Sequence, residues 1–145
     1  MVTATWTITV ARPPEAVFDF VADLHNEPRF NPDASNVVQK TPGPIGLGTV
    51  FEEDFNRVGH MVTTIDRYER PRAIGFDARN SKVDALVRFD FAGADGGTAT
   101  EVSCTIELTM KGMMRLGERA MAPAIRREIE TTRGPMLKSA LESAD

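Results

Sequence analysis

At 145 residues and 15.9 kDa, with 41% hydrophobic content, the chain suits one domain that closes its own core without disulfide or metal staples. A net charge of -4, a pI near 5.2 and the lack of any Lys/Arg run argue against nucleic acid or an anionic membrane surface as partner. The single cysteine, Cys104, excludes an intramolecular disulfide and fits a reducing compartment.

The opening residues, MVTATWTITVARPPE, lack the basic and apolar segments of a leader. No apolar run approaches the roughly 18 residues of a transmembrane helix. A cytoplasmic protein without stable membrane insertion is expected. TWTITVA alternates, with Ala4, Trp6, Ile8 and Val10 on one face and threonines on the other, the pattern of a half-buried strand. Pro13 and Pro14 stop it, and Pro14-Glu15 opens a helix at little cost, because a first-turn residue has no amide bond to lose. Val17, Phe18, Val21 and Leu24 then recur at helical spacing. HNEPRFNPDA carries prolines at 28 and 32, which leaves room only for a short second helix or an irregular turn.

From residue 36 to 110 the pattern is strand, turn, strand. NVVQK is a short strand and TPGPIGLG a loop. TVFEEDF places Phe51, Glu53 and Phe55 on one face. RVG reads as a three-residue hairpin loop ending in glycine, a register that sets Phe51 opposite Ile65, Glu53 opposite Thr63 and Phe55 opposite Met61. RAIGFDA is a further strand. DALVRFDFA gathers Ala85, Val87, Phe89 and Phe91 on one face and turns Arg88 outward. GADGG is a hairpin turn, and TEVSCTIELTM aligns Val102, Cys104, Ile106, Leu108 and Met110. Residues 112–142 read as helix. No repeat, low-complexity tract or linker interrupts the chain, so residues 1–145 form a single domain. An antiparallel sheet with one polar face needs cover for the other, and only the final helix is long enough to supply it.

This order, with the words VARPPEAVFDFVAD, GPIGLGTVF, DRYERPRAIGF and GGTATEVSCTIEL, resembles the helix-grip superfamily of START, Bet v 1 and polyketide cyclase/dehydrase-like (SRPBCC) proteins. The resemblance covers essentially the whole chain and rests on structural rather than catalytic motifs. It implies an α+β fold in which a curved seven-stranded antiparallel sheet wraps a long C-terminal helix, with two short helices between strands 1 and 2. It also implies an apolar cavity between sheet and helix for a small molecule. Membership alone does not choose between carriers, lipid-transfer domains, cyclases and interaction modules.

On a helical wheel Met114, Met121, Ile125, Ile129, Thr132 and Met136 share one side of the last helix, with Arg115, Arg119, Arg126, Glu130 and Arg133 opposite. Read as core, this is a plain apolar stripe. Read as a cavity wall, the methionines adapt to variable ligand shapes where leucine specifies one packing. Pro123 and Gly134-Pro135 are expected to bend or interrupt the helix.

Glu53 shares a face with two phenylalanines, where an ionised carboxylate is costly unless paired, so it is a candidate anchor or raised-pKa acid. At a twisted sheet edge it would instead be solvated. Tyr68 is a weaker catalytic candidate, turned inward if a bulge follows Ile65. His25 and His60 fit no metal signature, and no metal or other cofactor is expected. His60 belongs beside a hairpin turn; His25 caps a helix or lines the cavity mouth. Cys104, on an apolar strand face, reads as an inert thiol. GPIGLG precedes a strand and so lacks the helix N-terminus of a phosphate loop.

The expected cavity is lined by Phe20, Leu24, Phe30, Phe51, Glu53, Phe55, Phe76, Phe89, Phe91, Ile106, Met114, Met121 and Ile125. Its expected role is binding or carrying a small hydrophobic molecule of lipid, polyketide or isoprenoid type, in a monomer or homodimer. A cyclase/dehydratase-like enzyme using the same cavity is the alternative, and an interaction module without ligand the third.

Overall fold

A computed structural model describes residues 1–143. Strand β1 (Val2–Val10) alternates buried and exposed side chains as its sequence does. Helix α1 (Pro14–Ala22) has proline at its first position and buries Val17, Phe18, Val21 and Ala22. A 3-10 turn, Leu24–Arg29, follows; Asp23 caps it by accepting a hydrogen bond from the His25 amide at 3.1 Å. Six further strands come next: β2 (Ala34–Gln39), β3 (Val50–Phe55), β4 (Gly59–Glu69), β5 (Ala73–Arg79), β6 (Val83–Ala94) and β7 (Ala99–Met110). A second 3-10 turn, Gly112–Gly117, leads into helix α2 (Glu118–Glu142).

The seven strands form one curved antiparallel sheet in the order β1-β7-β6-β5-β4-β3-β2, wrapped on α2 in a helix-grip arrangement. Its inner face carries the core. Phe18, Phe51, Ile65, Ile74 and Leu137 are sealed from solvent, and each such side chain stabilises the fold by about 1.5–3 kcal/mol. On the outer face Arg88 makes two 3.0 Å hydrogen bonds to the Asp66 carboxylate. Gly75 leaves the room for this pair, since a Cβ there would meet both partners at 2.7 Å.

Helix α2 is fastened to β1 through the edge of that strand. The Thr5 amide donates to the Glu130 carboxylate and the Ala11 amide to Glu142, both at 2.8 Å. Arg126 and Lys138 donate to the carbonyls of Thr3 and Thr9 at 3.0 and 2.9 Å. Backbone groups that an edge strand normally leaves open are thereby satisfied, which removes a template for pairing with another chain. Gly134 permits the close approach: a Cβ there would lie 3.2 Å from Cε3 of Trp6 and 3.4 Å from Cβ of Ile8.

Several expectations are corrected. The β3–β4 loop is Asn56-Arg57-Val58, so Phe51 pairs with Thr63, Glu53 with Met61 and Phe55 with Gly59. Gly59 takes the left-handed conformation, φ 84°, as the first residue of β4 rather than the last of the loop. Residues 112–117 are 3-10 rather than α-helical, so the long helix starts at Glu118. Pro123 and Pro135 lie inside α2, which runs through both without interruption. Arg133, expected on the outer side of that helix, is buried on its inner side.

Candidate functional site

The inner face of the sheet does not close into one core. A large apolar cluster gathers around Trp6, Phe18, Phe51, Ile74, Phe89 and Leu137; a smaller one contains Met61, Ala78, Val83, Ala85 and Met110. Between them and α2 lies a cavity of about 590 Å³. Small side chains leave this space. Ala78 on β5 pairs directly with Ala85 on β6, and both line the cavity, as do Ala120 and Ala124 of α2. The exposed lining residues Arg57, Ala120, Met121 and Ala124 mark its opening, between the β3–β4 loop and the first turns of α2.

Of the residues expected in the wall, Leu24, Phe30, Glu53, Phe55, Phe76, Phe89, Ile106, Met114, Met121 and Ile125 line the cavity. Phe20, Phe51 and Phe91 do not. Phe20 packs on Phe30 from outside, with the Arg29 guanidinium over its ring. Phe51 is sealed behind the wall, edge-on to His25. Phe91 stacks behind Phe89, against Phe18 of α1. These three support the wall without facing the space. Tyr68 does turn inward after a bulge between Ile65 and Arg67, but it meets Phe18 edge-on at 5.1 Å and stays outside the cavity. His25 bonds Asp23 at 2.7 Å, and His60 lies on the outer face between Asp54 and Glu52, 2.7 Å from each; neither reaches the cavity. Cys104 lines it as a thiol whose pKa burial pushes up, away from the reactive thiolate.

The polar end of the cavity is more elaborate than its sequence suggests. Glu53 is 1% exposed. Thr63 donates to its Oε1 at 3.3 Å, diagonally across the strand pair, and no donor among the described residues reaches its Oε2. The 3-10 turn brings the Glu27 carboxylate within hydrogen-bonding range. Two carboxylates there cannot both ionise cheaply, so one keeps a proton. Burial, then the neighbouring Glu27 charge, push Glu53 up to about 10. Burial also raises Glu27, while its bonds to Glu53 and Asn31 and the Arg133 charge oppose that rise. A proton kept on Glu53 relieves the repulsion between the two carboxyls. Asn31 Nδ2 holds Glu27 from the other side at 3.1 Å.

Arg133, 8% exposed, lines the same end and lies 3.9 Å from Glu128. Arg57, from the β3–β4 loop, bonds Glu128 at 2.8 Å across the opening and lies 3.7 Å from Asp33. Three further carboxyl groups, of Glu27, Asp33 and Glu128, line this end together with the guanidiniums of Arg57 and Arg133. The remaining polar atom of interest is Trp6 Nε1. Its residue is 6% exposed and lines the cavity, but the N–H itself is sealed and has no acceptor among the described residues. No group of three or more His, Cys, Asp or Glu is placed to hold a metal among the described residues.

Sequence reasoning did not assign Trp6, Glu27, Asn31 and Arg133 to the cavity. Trp6 stood on the inward face of β1, and the only tryptophan of the chain on such a face was the available signal. Glu27 and Asn31 lie in an irregular proline-flanked stretch with no periodicity to aim their side chains.

Three solved structures share the fold. A START superfamily protein from Mycobacterium smegmatis is 16% identical, with both chains covered at 100% and a TM-score of 0.72. A protein from Thermus thermophilus is 13% identical, with 99% of each chain covered and a TM-score of 0.77. The Zhui aromatase/cyclase from a Streptomyces species is 17% identical over 98% of this chain and 92% of its own, with a TM-score of 0.71. No curated protein matches the sequence. Residues 1–140 match the family described as polyketide cyclase / dehydrase and lipid transport, and the chain belongs to that family.

Proposed function

We propose that this protein binds and carries a small hydrophobic molecule of lipid, polyketide or isoprenoid type in the cavity between sheet and α2. The observation that carries the reading is the cavity itself: about 590 Å³, walled by phenylalanine, methionine, isoleucine and alanine, and open at one side. An apolar guest there exchanges water for side-chain contacts over most of its surface, the usual condition of a small-molecule site. Met114, Met121 and Met110 offer unbranched, polarizable side chains that adjust to guests of different outline. Native mass spectrometry of freshly purified protein is expected to show a co-purified apolar ligand, and a lipophilic fluorescent probe is expected to enter. Repeatedly empty protein that takes up no probe refutes the reading.

The Glu53–Glu27 pair favours a second reading, a cyclase/dehydratase-type enzyme acting in the same space. A protonated carboxyl at the end of an apolar cavity can hand a proton to a guest oxygen while the wall holds a reactive chain folded. Under this reading Glu53→Gln abolishes cyclisation of a linear oligoketone while leaving probe affinity intact. Undiminished turnover in that variant removes Glu53 from the chemistry.

A further inference from the structure

The stripe of α2 that lines the cavity is apolar except at its far end. Met121, Ile125 and Ile129 follow one another at steps of four, and the next step is Arg133. Twelve residues, about 18 Å of helix, separate Met121 at the opening from Arg133. A chain-like guest that enters beside Met121 and lies along this stripe meets a guanidinium at its inner end. Arg133 is 8% exposed, and a buried cation is costly unless its donors are answered.

They are answered on one side only. Nη1 donates to Thr132 Oγ1 at 3.1 Å. Nη2 lies 3.9 Å from Glu128 Oε1, beyond hydrogen-bond distance, and the other oxygen of Glu128 already accepts from Arg57 at 2.8 Å. Glu27 lies within range of the Arg133 charge, and the hydrogen bond it accepts on that side comes from Asn31. Among the described residues Arg133 Nε and Nη2 make no hydrogen bond, and unlike Trp6 Nε1 and Glu53 Oε2 they are not sealed. This edge is the one with which Arg70 grips both oxygens of Asp19, at 2.8 and 2.9 Å, and Arg79 both of Asp77, at 2.8 and 3.0 Å. In Arg133 the same fork is open, on a residue that lines the cavity.

We infer that the guest is an amphipathic carboxylic acid, its carboxylate seated on the Nε–Nη2 fork of Arg133 and its apolar chain running along Ile129, Ile125 and Met121 toward the opening. A planar two-oxygen anion matches the two parallel N–H groups, and it answers at contact the charge that Glu128 meets at a distance. This rests on the binding reading above and adds to it a rule of selection: free acids over neutral alcohols of the same chain, and both over amines.

Three probes of one chain length test the rule: decanoate, decanol and decylammonium, titrated calorimetrically at neutral pH into the wild-type protein, Arg133→Met and Arg133→Lys. Decanoate is expected to bind the wild type at least about tenfold more tightly than decanol, the scale of a charge-assisted hydrogen-bonded pair, with decylammonium weakest. Arg133→Met keeps an unbranched side chain and is expected to erase the decanoate advantage while decanol affinity stays. Arg133→Lys keeps the charge without the fork, so it is expected to lose affinity several-fold for decanoate alone, a result readable even where the methionine variant does not fold. With carbon-labelled carboxyl, bound decanoate is expected to stay ionised at a pH where the free acid is protonated, in the wild type and not in Arg133→Met. Equal affinities for decanoate and decanol, a preference for decylammonium, or a decanoate preference that survives both Arg133 variants overturns the inference while the cavity remains a binding site. So does failure of all three probes where the lipophilic fluorescent probe still enters. If that probe also stays out, the binding reading falls and this inference falls with it.

Discussion

Replacing Glu53 by glutamine is expected to stabilise this protein at neutral pH, although it removes a buried native group. A glutamate ionises ordinarily near 4.5, whereas burial and Glu27 push the folded Glu53 up to about 10. At pH 7 the unfolded chain has lost this proton and the folded one has kept it, so folding takes up one proton. The cost is 7 − 4.5 = 2.5 pH units at about 1.36 kcal/mol each, roughly 3 kcal/mol. Because the folded state holds the extra proton, its stability is fullest below pH 4.5 and declines as pH rises toward 10. Glutamine keeps the local bonds, since its oxygen can accept from Thr63 and its amide can donate to Glu27, and it does not titrate. The gain of about 3 kcal/mol at pH 7 corresponds to a Tm higher by about 6–12 °C. Urea denaturation of both proteins across the range from acid to mildly alkaline pH checks this. Their difference should be small near the ordinary glutamate pKa and widen by up to about 1.36 kcal/mol per pH unit above it. A gap that does not change with pH, or a variant less stable throughout, refutes the protonated carboxyl.

Ile125→Trp places a large ring where a half-buried lining residue bridges the two apolar clusters, and it is expected to abolish uptake of a lipophilic fluorescent probe while circular dichroism stays native. Unchanged uptake would locate the probe outside the cavity. Gly134→Leu forces a side chain into Trp6 and Ile8 and is expected to cost about 1–3 kcal/mol in chemical denaturation, the range for overpacking; a neutral result would deny the close helix–strand contact. Protonated His60 donates to the carboxylates of Asp54 and Glu52, and these hydrogen bonds raise its pKa, so its imidazole should titrate by NMR above 6.5. Its attraction to the two carboxylates is present below pH 6.5 and fades as pH rises through the folded midpoint; a midpoint at or below 6.5 contradicts the geometry.

Alternation along the strands made much of the site legible. It turned Glu53 inward between Phe51 and Phe55, and that direction survives the corrected hairpin register because moving each strand by one residue preserves the parity of every pair. Alternation could not tell which inward phenylalanines face space and which face packing. Phe51 and Phe91 are as inward as Phe76, and only the covering by α1 and the 3-10 turn separates them. Arg133 was misplaced for a geometric reason. A stripe parallel to the axis of α2 leaves it outside, but the lining and core residues Met121, Ile125, Ile129, Arg133, Leu137 and Leu141 follow steps of four. At 100° per residue each such step turns the contact line by about 40°, as a twisted sheet crossing the helix requires. Glu27 was illegible in another way: a 3-10 turn carries too few residues for a periodic signal, and its partner lies on a strand.

The fastening of α2 to β1 bears on the order in which the molecule assembles. Thr5 meets Glu130 across 125 positions of sequence, and β1 has its sheet neighbour in β7 rather than in any strand made soon after it. The six strands from β2 to β7 can grow by successive hairpins, each closing a short loop, whereas β1 must wait for partners made late in synthesis. On the ribosome β1 therefore emerges before the other six strands and is among the last of them to settle, its alternating apolar face uncovered in the meantime. The cavity inherits this schedule: Trp6 comes from the strand that docks late, so the pocket acquires that part of its wall only once β7 and α2 have formed.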